Sequence, residues 1–418
     1  MTAEVDMDYA SRVKELILED YRKEAVEPSW SDSDLWGAVS NTGSELWLDT
    51  GDLDEATSLW CNQFSAVTTN NTLLNEEVQK GTYDELIEKT GEELQDTVPE
   101  QRLVEEICFV LNASHGLKLS RKLGAMVSVE LHTAAAENLE LTLAYARRFY
   151  DIAPNRFYIK VPLTAQGLIA TRRLSREGIP VNFTLGFSAR ENYLAASVAE
   201  PAFVNVFLGR LNSFVADNEL GSGRMVGEKT ARASQRAIRE LRDEYGIETR
   251  QIAASMRNGK QALSLAGIDV LTMPPEVAQG FEAMNPDASE IRSRVNEDPE
   301  PGIADEVNPV SSGIYKLWNI PAELKALCAH IRERGDRTIE PDELHDMLQD
   351  RDLGGLLPPW GDEERETVRS DGKIPVYETW EEKLQSDELG LDALMTLSGL
   401  YSFASDQEAL DERIESFL

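Results

Sequence analysis

The chain has 418 residues, enough for one large domain or two to three ordinary ones, and its 41% hydrophobic residues can supply a sizeable core. It has 75 acidic and 41 basic residues, a net charge of −34 that disfavours nucleic acid or an anionic membrane surface as a partner. The sequence contains no run of 18 apolar residues, so we expect no transmembrane helix. The charged N-terminus lacks the apolar core of a signal peptide.

Residues 1–40 predict one amphipathic helix followed by a polar loop. From about residue 45 to residue 282, short β-rich runs alternate with longer helical stretches, which is typical of parallel βαβ units. The eight runs are 46–49, 66–69, 125–131, 157–162, 180–185, 203–207, 251–255 and 269–273. Eight units in roughly 240 residues predict a (β/α)8 TIM barrel, which takes about 250. A doubly wound sheet is the alternative, but no GxGxxG motif follows the first run.

Residues 283–418 differ from the barrel in composition. A polar, proline-punctuated stretch, predicted to be a connection or lid, precedes helices over 321–334, 340–349, 380–386 and 392–403. Aromatic and apolar side chains predict an ordered extension that packs beside the substrate entrance or forms a homodimer interface: Trp318, Trp360, Trp380, Leu397, Tyr401 and Phe403. We therefore divide the chain into an N-terminal helical segment (1–44), a barrel (45–282) and a mostly helical extension (283–418).

Strand alternation directs polar side chains into the predicted barrel. In the fourth run, Phe157, Ile159 and Val161 form the outward apolar set, so Tyr158 and Lys160 face inward. The same alternation points these residues inward: Trp47, Asp49, Ser128, Glu130, Asn182, Thr184, Phe203, Asn205 and Phe207. The polar members lie toward the C-terminal ends of their strands, where barrel enzymes have their active sites.

One lysine, Lys160, thus converges with the carboxylates of Asp49 and Glu130. A buried ion pair that merely fills the barrel is the alternative, but five strands contribute such groups together. A lysine in a desolvated interior has its ammonium form disfavoured, so the neutral amine can attack a carbonyl. The carboxyl groups can move the protons that imine formation and C–C cleavage require. The set predicts lysine Schiff-base chemistry on a carbonyl substrate.

Two arginines follow later strands: Arg210, and Arg257 with Ser255 beside it. Barrels often bind phosphate at the loops after strands 7 and 8, and the guanidinium fork suits a phosphate group. Each arginine alone would be interpreted as a surface ion pair. As a pair at strand ends they predict a site for a phosphorylated substrate.

Histidines and cysteines give no sign of a metal site. The four histidines form no HxH or HExxH motif, and the three cysteines are isolated, without CxxC spacing. We therefore expect no metal and no disulfide framework, and a reducing, cytoplasmic location.

The strand-end segments resemble those of the transaldolase family. The matching segments are LWLDTGDLDEA (46–56), AVTTNNTLL (66–74), FYIKVPLTAQGL (157–168), EGIPVNFTLGFS (177–188), VFLGRL (206–211), AASMRN (253–258) and LTMPPEV (271–277). They follow the predicted barrel from its first strand to its eighth. The extension beyond 283 does not match the small bacterial enzymes and looks like that of a longer-chain subfamily.

The resemblance implies a role for each catalytic candidate. Lys160, in the IKVP segment, matches the lysine that forms the Schiff base. Asp49 matches the acid/base that takes the C4 hydroxyl proton during cleavage. Glu130 and Thr184 match the pair that uses a water molecule for proton transfer during imine formation.

The resemblance also implies substrate contacts. Asn70 and Asn182 match ligands of the dihydroxyacetone unit, and Arg210, Ser255 and Arg257 match a phosphate clamp. No cofactor is implied.

Four positions bear on specificity. Phe207 and Glu130 match the transaldolase pattern, whereas the related fructose-6-phosphate aldolases have Tyr and Gln there, so both favour transfer. The family's TTNP is TTNN here, with Asn71 in place of a rigid proline. The family's serine on the sixth strand is matched by Asn205, which could change donor preference or simply hydrogen-bond a neighbour such as Asn182.

The expected function is therefore transfer of a dihydroxyacetone unit from sedoheptulose 7-phosphate or fructose 6-phosphate to an aldose phosphate, in the pentose phosphate pathway. A lyase like fructose-6-phosphate aldolase, or a transaldolase with an altered donor, is the alternative enzyme. A non-catalytic sugar-phosphate-binding barrel is the alternative of another class. That class would be indicated by loss of Lys160 or Asp49, and both are present.

Overall fold

A computed structural model describes residues 7–21, 28–335 and 339–418. Eight parallel strands form a closed barrel in chain order, with the first strand paired to the eighth. The strands are β1 (Glu45–Asp49), β2 (Phe64–Thr68), β3 (Met126–Glu130), β4 (Phe157–Pro162), β5 (Val181–Thr184), β6 (Phe203–Phe207), β7 (Arg250–Ala254) and β8 (Val270–Met273). The predicted (β/α)8 barrel is confirmed, and each predicted run overlaps one strand.

Helices surround the barrel, precede it and follow it. Before the barrel lie α1 (Met7–Tyr21) and α2 (Asp34–Ser40). The barrel helices are α3 (Leu53–Leu59), α4 (Asn71–Gln79), α5 (Asp84–Leu94), α6 (Glu100–Leu123), α7 (Leu139–Ile152), α8 (Ala165–Arg176), α9 (Ala189–Val198), α10 (Leu208–Asp217), α11 (Val226–Tyr245), α12 (Gly259–Ser264) and α13 (Pro275–Met284). The extension contains α14 (Ala322–Glu333), α15 (Pro341–Gln349), α16 (Asp362–Asp371), α17 (Tyr377–Gln385) and α18 (Leu391–Glu415). No helix in the described ranges is long and apolar enough to span a bilayer.

The N-terminal segment differs from the prediction of one helix and a loop, because a second helix, α2, follows the loop. Ser33 caps α2 by accepting a hydrogen bond from the Trp36 backbone N–H at 3.4 Å, which marks its start. Trp36 is buried and stacks on Phe281 of α13, with ring centroids 4.8 Å apart. This helix is too short to be predicted from its own sequence, and its packing on α13 stabilises it. The parts of the predicted segment at 1–6 and 22–27 lie outside the described residues.

An aromatic layer fills the barrel interior below the polar side chains. The rings of Trp47 and Tyr158 stack with centroids 5.3 Å apart, and Phe203 meets both edge-on at 4.7 and 4.8 Å. These three are among the side chains that strand alternation predicts to face inward. The interior side chains that follow them along the strands, including Lys160, are thus placed toward the carboxyl ends.

The extension packs on the barrel mouth, as one of its two predicted roles requires. Helix α18 contacts the chain just after four strands: Asn71 after β2, His132 after β3, Leu185 after β5 and Arg210 after β6. At 25 residues it is much longer than the predicted helix over 392–403, and α16 was not predicted. The polar stretch from 285 to 310 contains no helix or strand, only an isolated bridge between Gly221 and Ile303, as expected of a connection.

A buried charged cluster joins α18 to the start of α9. Arg190 binds Asp392 through two contacts of 2.6 Å, and both side chains are at most 8% exposed. Beside them, burial and the negative charge of Asp392 raise the pKa of Glu191 to about 8. The Thr396 hydroxyl oxygen lies 3.1 Å from Oε1 of Glu191 and 2.9 Å from the Leu185 carbonyl oxygen. The single hydroxyl proton can go to either oxygen, and a protonated Glu191 could donate to Thr396 while Thr396 donates to the Leu185 carbonyl.

Protonation of Glu191 predicts a pH-dependent stability. A carboxyl whose folded-state pKa is raised contributes stability that is present below about pH 4.5, its unfolded value, and is lost as the pH rises through about 8. We expect the contribution of Glu191 to lower the melting temperature between about pH 5 and 8 and to level off above that, and Glu191→Gln to remove much of that decline, because a glutamine amide imitates the protonated acid. The exposed Glu363→Gln is the control, and an unchanged decline in E191Q would contradict the assignment.

Candidate active site

Lys160 lies at the centre of the barrel mouth. Parallel pairing sets it opposite Glu130 on β3 and Asn182 on β5. The side chain is only 7% exposed, and its Nζ donates to the Thr69 carbonyl oxygen at 2.6 Å. This contact aims the amine across β3 toward the end of β2. A carbonyl held beside it would meet a nucleophile already oriented and largely dry.

Glu130 is the buried acid of the site. It is 8% exposed, and its Oε2 accepts the backbone N–H of Asn71 at 2.9 Å. Burial raises the pKa of Glu130, against the lowering effects of the Lys160 charge and the Asn71 hydrogen bond; Asp49 and Asp406 add to the rise. A raised pKa favours the protonated carboxyl, which is the form that a general acid requires.

Asp49 ends β1, which lies two strands from β3 in the barrel. Its Oδ1 accepts a hydrogen bond from the Thr68 hydroxyl at 2.7 Å, and Thr68 lies 2.7 Å from the Thr272 hydroxyl. A chain of hydroxyl groups thus orients the carboxylate. Because Asp49 acts electrostatically on Glu130, the two carboxyl groups face the same interior. The site therefore contains two acids in unlike surroundings, one half-buried and one buried.

An amide row runs along β5 and β6. Asn182 donates to the Ser128 hydroxyl at 3.0 Å and accepts from the Asn205 amide at 3.2 Å. Asn205 also accepts the Gly186 backbone N–H at 3.2 Å. The simpler alternative for Asn205, a hydrogen bond to Asn182, is thus present, and its effect on donor choice stays a prediction. Thr184, 3% exposed, lies two residues beyond Asn182 on the same face.

Asn70 lies at the mouth as the cap of α4. Its Oδ1 accepts the Leu73 backbone N–H at 2.8 Å, which satisfies an N–H at the start of the helix. This bond uses the carbonyl oxygen, so the amide nitrogen is the group that Asn70 can offer to a substrate. The next residue, Asn71, was noted in the sequence only as a missing proline. Its backbone N–H, which proline would lack, binds Glu130.

Arg210 is a buried cation. Among the described residues, no carboxylate forms an ion pair with it. It is 4% exposed, and its Nη1 has no hydrogen-bond partner. Burial, with repulsion from Arg257, lowers the pKa of Arg210 to about 10. Phe207 and Phe403 lie beside its guanidinium, with ring centroids 6.0 and 5.4 Å away. A buried guanidinium with an unused N–H is costly unless an anion completes it, which marks an anion site.

The loop after β7 brings Arg257 to this site. Ser255 adopts a left-handed backbone, with φ of 63°, which is uncommon for a residue with a side chain and tends to occur at functional sites. Gly209 permits the close approach, since a Cβ there would lie 2.1 Å from the Ser255 carbonyl oxygen and 2.9 Å from Nε of Arg257. The Arg257 side chain is exposed, so it can reach a ligand at the rim.

Sequence reasoning missed the contribution of α18. Gln407 accepts the Asn71 amide at 2.6 Å and donates to Asp411 at 2.8 Å, and Asp411 lies 3.1 Å from Nε2 of His132. Asp406 accepts the Thr72 hydroxyl at 2.5 Å. No motif marks these residues, because their place depends on how the extension folds. Across the described ranges, no group of three or more His, Cys, Asp or Glu is placed to hold a metal ion.

Comparison with known proteins places this geometry in a family. A sequence model described as Transaldolase/Fructose-6-phosphate aldolase matches residues 46–312. The chain belongs to this family. The match begins one residue inside β1, includes the other seven strands and ends before α14, so the chain is longer than the family's common part. Membership in the transaldolase/fructose-6-phosphate aldolase family supports an enzyme of the transferase or aldolase type.

Individual relatives agree with this family. The chain is 29% identical over 265 residues to a transaldolase from Xanthomonas campestris pv. campestris (strain B100), covering 60% of this chain and 79% of the relative. It is 30% identical over 244 residues to a transaldolase from Xanthomonas oryzae pv. oryzae (strain KACC10331 / KXO85), covering 56% and 74%. A probable transaldolase from Roseobacter denitrificans (strain ATCC 33942 / OCh 114) is 39% identical over 155 residues, covering 37% and 63%.

Proposed function

We propose that this chain is a transaldolase that moves a dihydroxyacetone unit between phosphorylated sugars through a Schiff base on Lys160. The observation that supports this most is the position of Lys160: a buried amine opposite the buried Glu130 on the next strand, with Asp49 facing the same interior. The rim of this barrel contains the buried Arg210, for which the described residues supply no ion-pair partner. The pentose phosphate pathway is the metabolic setting that such a reaction fits.

Imine formation is the first step of the proposed reaction. The neutral Lys160 amine attacks C2 of the ketose, and a C2 carbinolamine forms. Loss of water then needs a proton on the leaving hydroxyl, which Glu130 can supply through a water molecule held with Thr184. The raised pKa of Glu130 suits this step, because the acid holds its proton until the hydroxyl leaves.

Cleavage and transfer follow. Asp49 takes the proton of the C4 hydroxyl, the C3–C4 bond breaks, and its electron pair moves into the iminium to give a three-carbon enamine and an aldose. The enamine carbon then attacks the carbonyl of an acceptor aldose, Asp49 returns the proton, and hydrolysis frees Lys160. Asn70 and Asn182 would hold the three-carbon unit, and Arg210, Ser255 and Arg257 the phosphate. Phe207 and Glu130 favour transfer to an aldose over release of dihydroxyacetone.

The test compares donor alone with donor plus acceptor. We expect fructose 6-phosphate to be turned over rapidly only when erythrose 4-phosphate is present, and borohydride to trap a three-carbon adduct on Lys160. Steady release of dihydroxyacetone without acceptor would instead indicate the lyase. No adduct with any ketose phosphate, together with sugar-phosphate binding, would indicate the non-catalytic barrel.

A further inference from the structure

The segment between α16 and α17 is pinned beside the candidate phosphate site from two directions. The Ser398 hydroxyl of α18 donates to the Gly372 carbonyl oxygen at 2.8 Å. Asn218, the C-cap of α10, donates to the Pro375 carbonyl oxygen at 2.9 Å and accepts the Tyr377 backbone N–H at 2.8 Å. Lys373 lies between these anchors, next to the helix on which Arg210 stands. Its position is therefore fixed by the backbone at both ends.

Helix α18 brings this segment close to Arg210. A Cβ on Gly399, the residue after Ser398, would lie 3.3 Å from Nη1 of Arg210, the atom that has no hydrogen-bond partner. Phe403, one turn further along α18, has its ring 5.4 Å from the same guanidinium. Gly372, whose carbonyl Ser398 binds, immediately precedes Lys373. Lys373 thus approaches the rim from the extension while Arg210 approaches it from the barrel.

Charge interactions place Lys373 in one cluster with the two arginines. Partial burial, followed by the charges of Arg210 and Arg257, lowers the pKa of Lys373. Among the described residues none of the three side chains has a carboxylate within ion-pair distance. The negative charge of Asp406 attracts Arg210 and Lys373 and raises their pKa values, against the lowering causes. This carboxylate is already hydrogen-bonded to Thr72.

The cluster contrasts with the rest of this acidic chain. With 75 acidic and 41 basic residues, a cation readily finds a carboxylate, as Lys80, Lys229 and Lys316 do at 2.9 Å or less. Three neighbouring cations without such a partner repel one another, and an anion between them relieves that repulsion. A sugar phosphate has close to two negative charges at neutral pH, and it matches this cluster in charge.

We infer that Lys373 is a third binding residue for the phosphate of the sugar substrate, so that the extension takes part in recognising the substrate together with Arg210 and Arg257 of the barrel. The nature of the ligand rests on the proposed function. Arg210 offers a fixed guanidinium fork, whereas Lys373 offers a mobile point charge that can follow phosphates on sugars of different length. The extension would then favour phosphorylated over unphosphorylated donors.

The first experiment measures KM for fructose 6-phosphate and for fructose in Lys373→Met. We expect KM for the phosphorylated donor to rise about three- to tenfold at low ionic strength, and the rise to shrink in high salt, since the lysine is only partly buried and salt screens its charge. The values of kcat and of KM for fructose should stay unchanged, and Lys373→Arg should restore most of the loss. Equal KM values for wild type and K373M would overturn the inference.

A second measurement separates this inference from the proposed function. Binding of inorganic phosphate, followed by phosphorus-31 NMR, needs no turnover, and K373M should weaken it by a similar factor. Asp406→Asn, which removes the opposing charge and can keep the Thr72 contact, should tighten it. The exposed Lys122→Met, at the opposite end of the barrel, is the matched control. Phosphate binding that depends on Lys373 in a chain that forms no imine would refute the transaldolase proposal alone; phosphate binding equal in K373M and wild type would refute the role of Lys373.

Discussion

Lys160→Met is expected to abolish transfer, with a fall in kcat/KM of at least about 10³-fold, because the proposed imine forms on the Lys160 amine. Methionine has a similar length and suits a position only 7% exposed, so the barrel should stay folded. The assay is transfer from fructose 6-phosphate to erythrose 4-phosphate, together with borohydride trapping and peptide mass analysis.

Two controls make the result specific to the amine. Lys160→Arg keeps the positive charge beside Glu130 but offers no neutral amine, so it should be as inactive as Lys160→Met. Lys122→Met, at an exposed lysine, should keep full activity. Substantial activity in K160R, or an adduct on another lysine, would show that Lys160 supplies only charge. Phosphate binding should survive in all three variants, because the arginines are untouched.

Asp49→Asn is expected to stop the reaction after imine formation. Loss of the group that takes the C4 hydroxyl proton should lower kcat by about 10²- to 10⁴-fold. Imine formation uses Glu130 and Thr184 in the proposed mechanism, so Lys160 should still react with fructose 6-phosphate. Borohydride should therefore trap an adduct with all six carbons in D49N, whereas wild type gives the three-carbon adduct.

The mass of the adduct distinguishes the two carboxyl groups. Glu130→Gln should slow the appearance of any adduct, since imine formation itself loses its acid, while the trapped species remains the three-carbon one. A three-carbon adduct formed by D49N at the wild-type rate would contradict the assignment of Asp49. Thr68→Val, which removes the hydroxyl that binds Asp49 at 2.7 Å, should give a smaller loss than D49N.

Much of the barrel and its interior could be predicted from the sequence, because strand periodicity is a local property. A period of two assigns Lys160 to the interior as soon as Phe157, Ile159 and Val161 are assigned to the outside, and the structure places these three in the hydrophobic core around the barrel. Closure of the sheet then brings Asp49 and Glu130 toward the same centre. The arginine pair was predictable in position, but the lack of an acidic partner for Arg210 was not, since it depends on every neighbour.

The contribution of the extension could not be predicted, because it depends on long-range contacts. Gln407 and Asn71 are 336 residues apart in the chain and meet at 2.6 Å. Asn71 looked like the loss of a rigid proline, yet its N–H binds Glu130 and its amide binds α18. Lys373 belongs to a short turn whose sequence resembles any polar linker. Only the packing of α18 across the strand ends brings these residues to the same site.

Helix α18 also has a consequence for the order in which the protein matures. Gln407 follows the end of β8 by roughly 130 residues, so at about 5–20 residues per second the ribosome adds it on the order of ten seconds after the last strand. During that interval a nascent chain can close its barrel while Glu130 and Arg210 still lack their neighbours from α18. The chain would then become catalytically active late and in one step, when this helix docks. A ribosome-stalled chain ending near residue 390 is therefore expected to have a formed barrel and little activity.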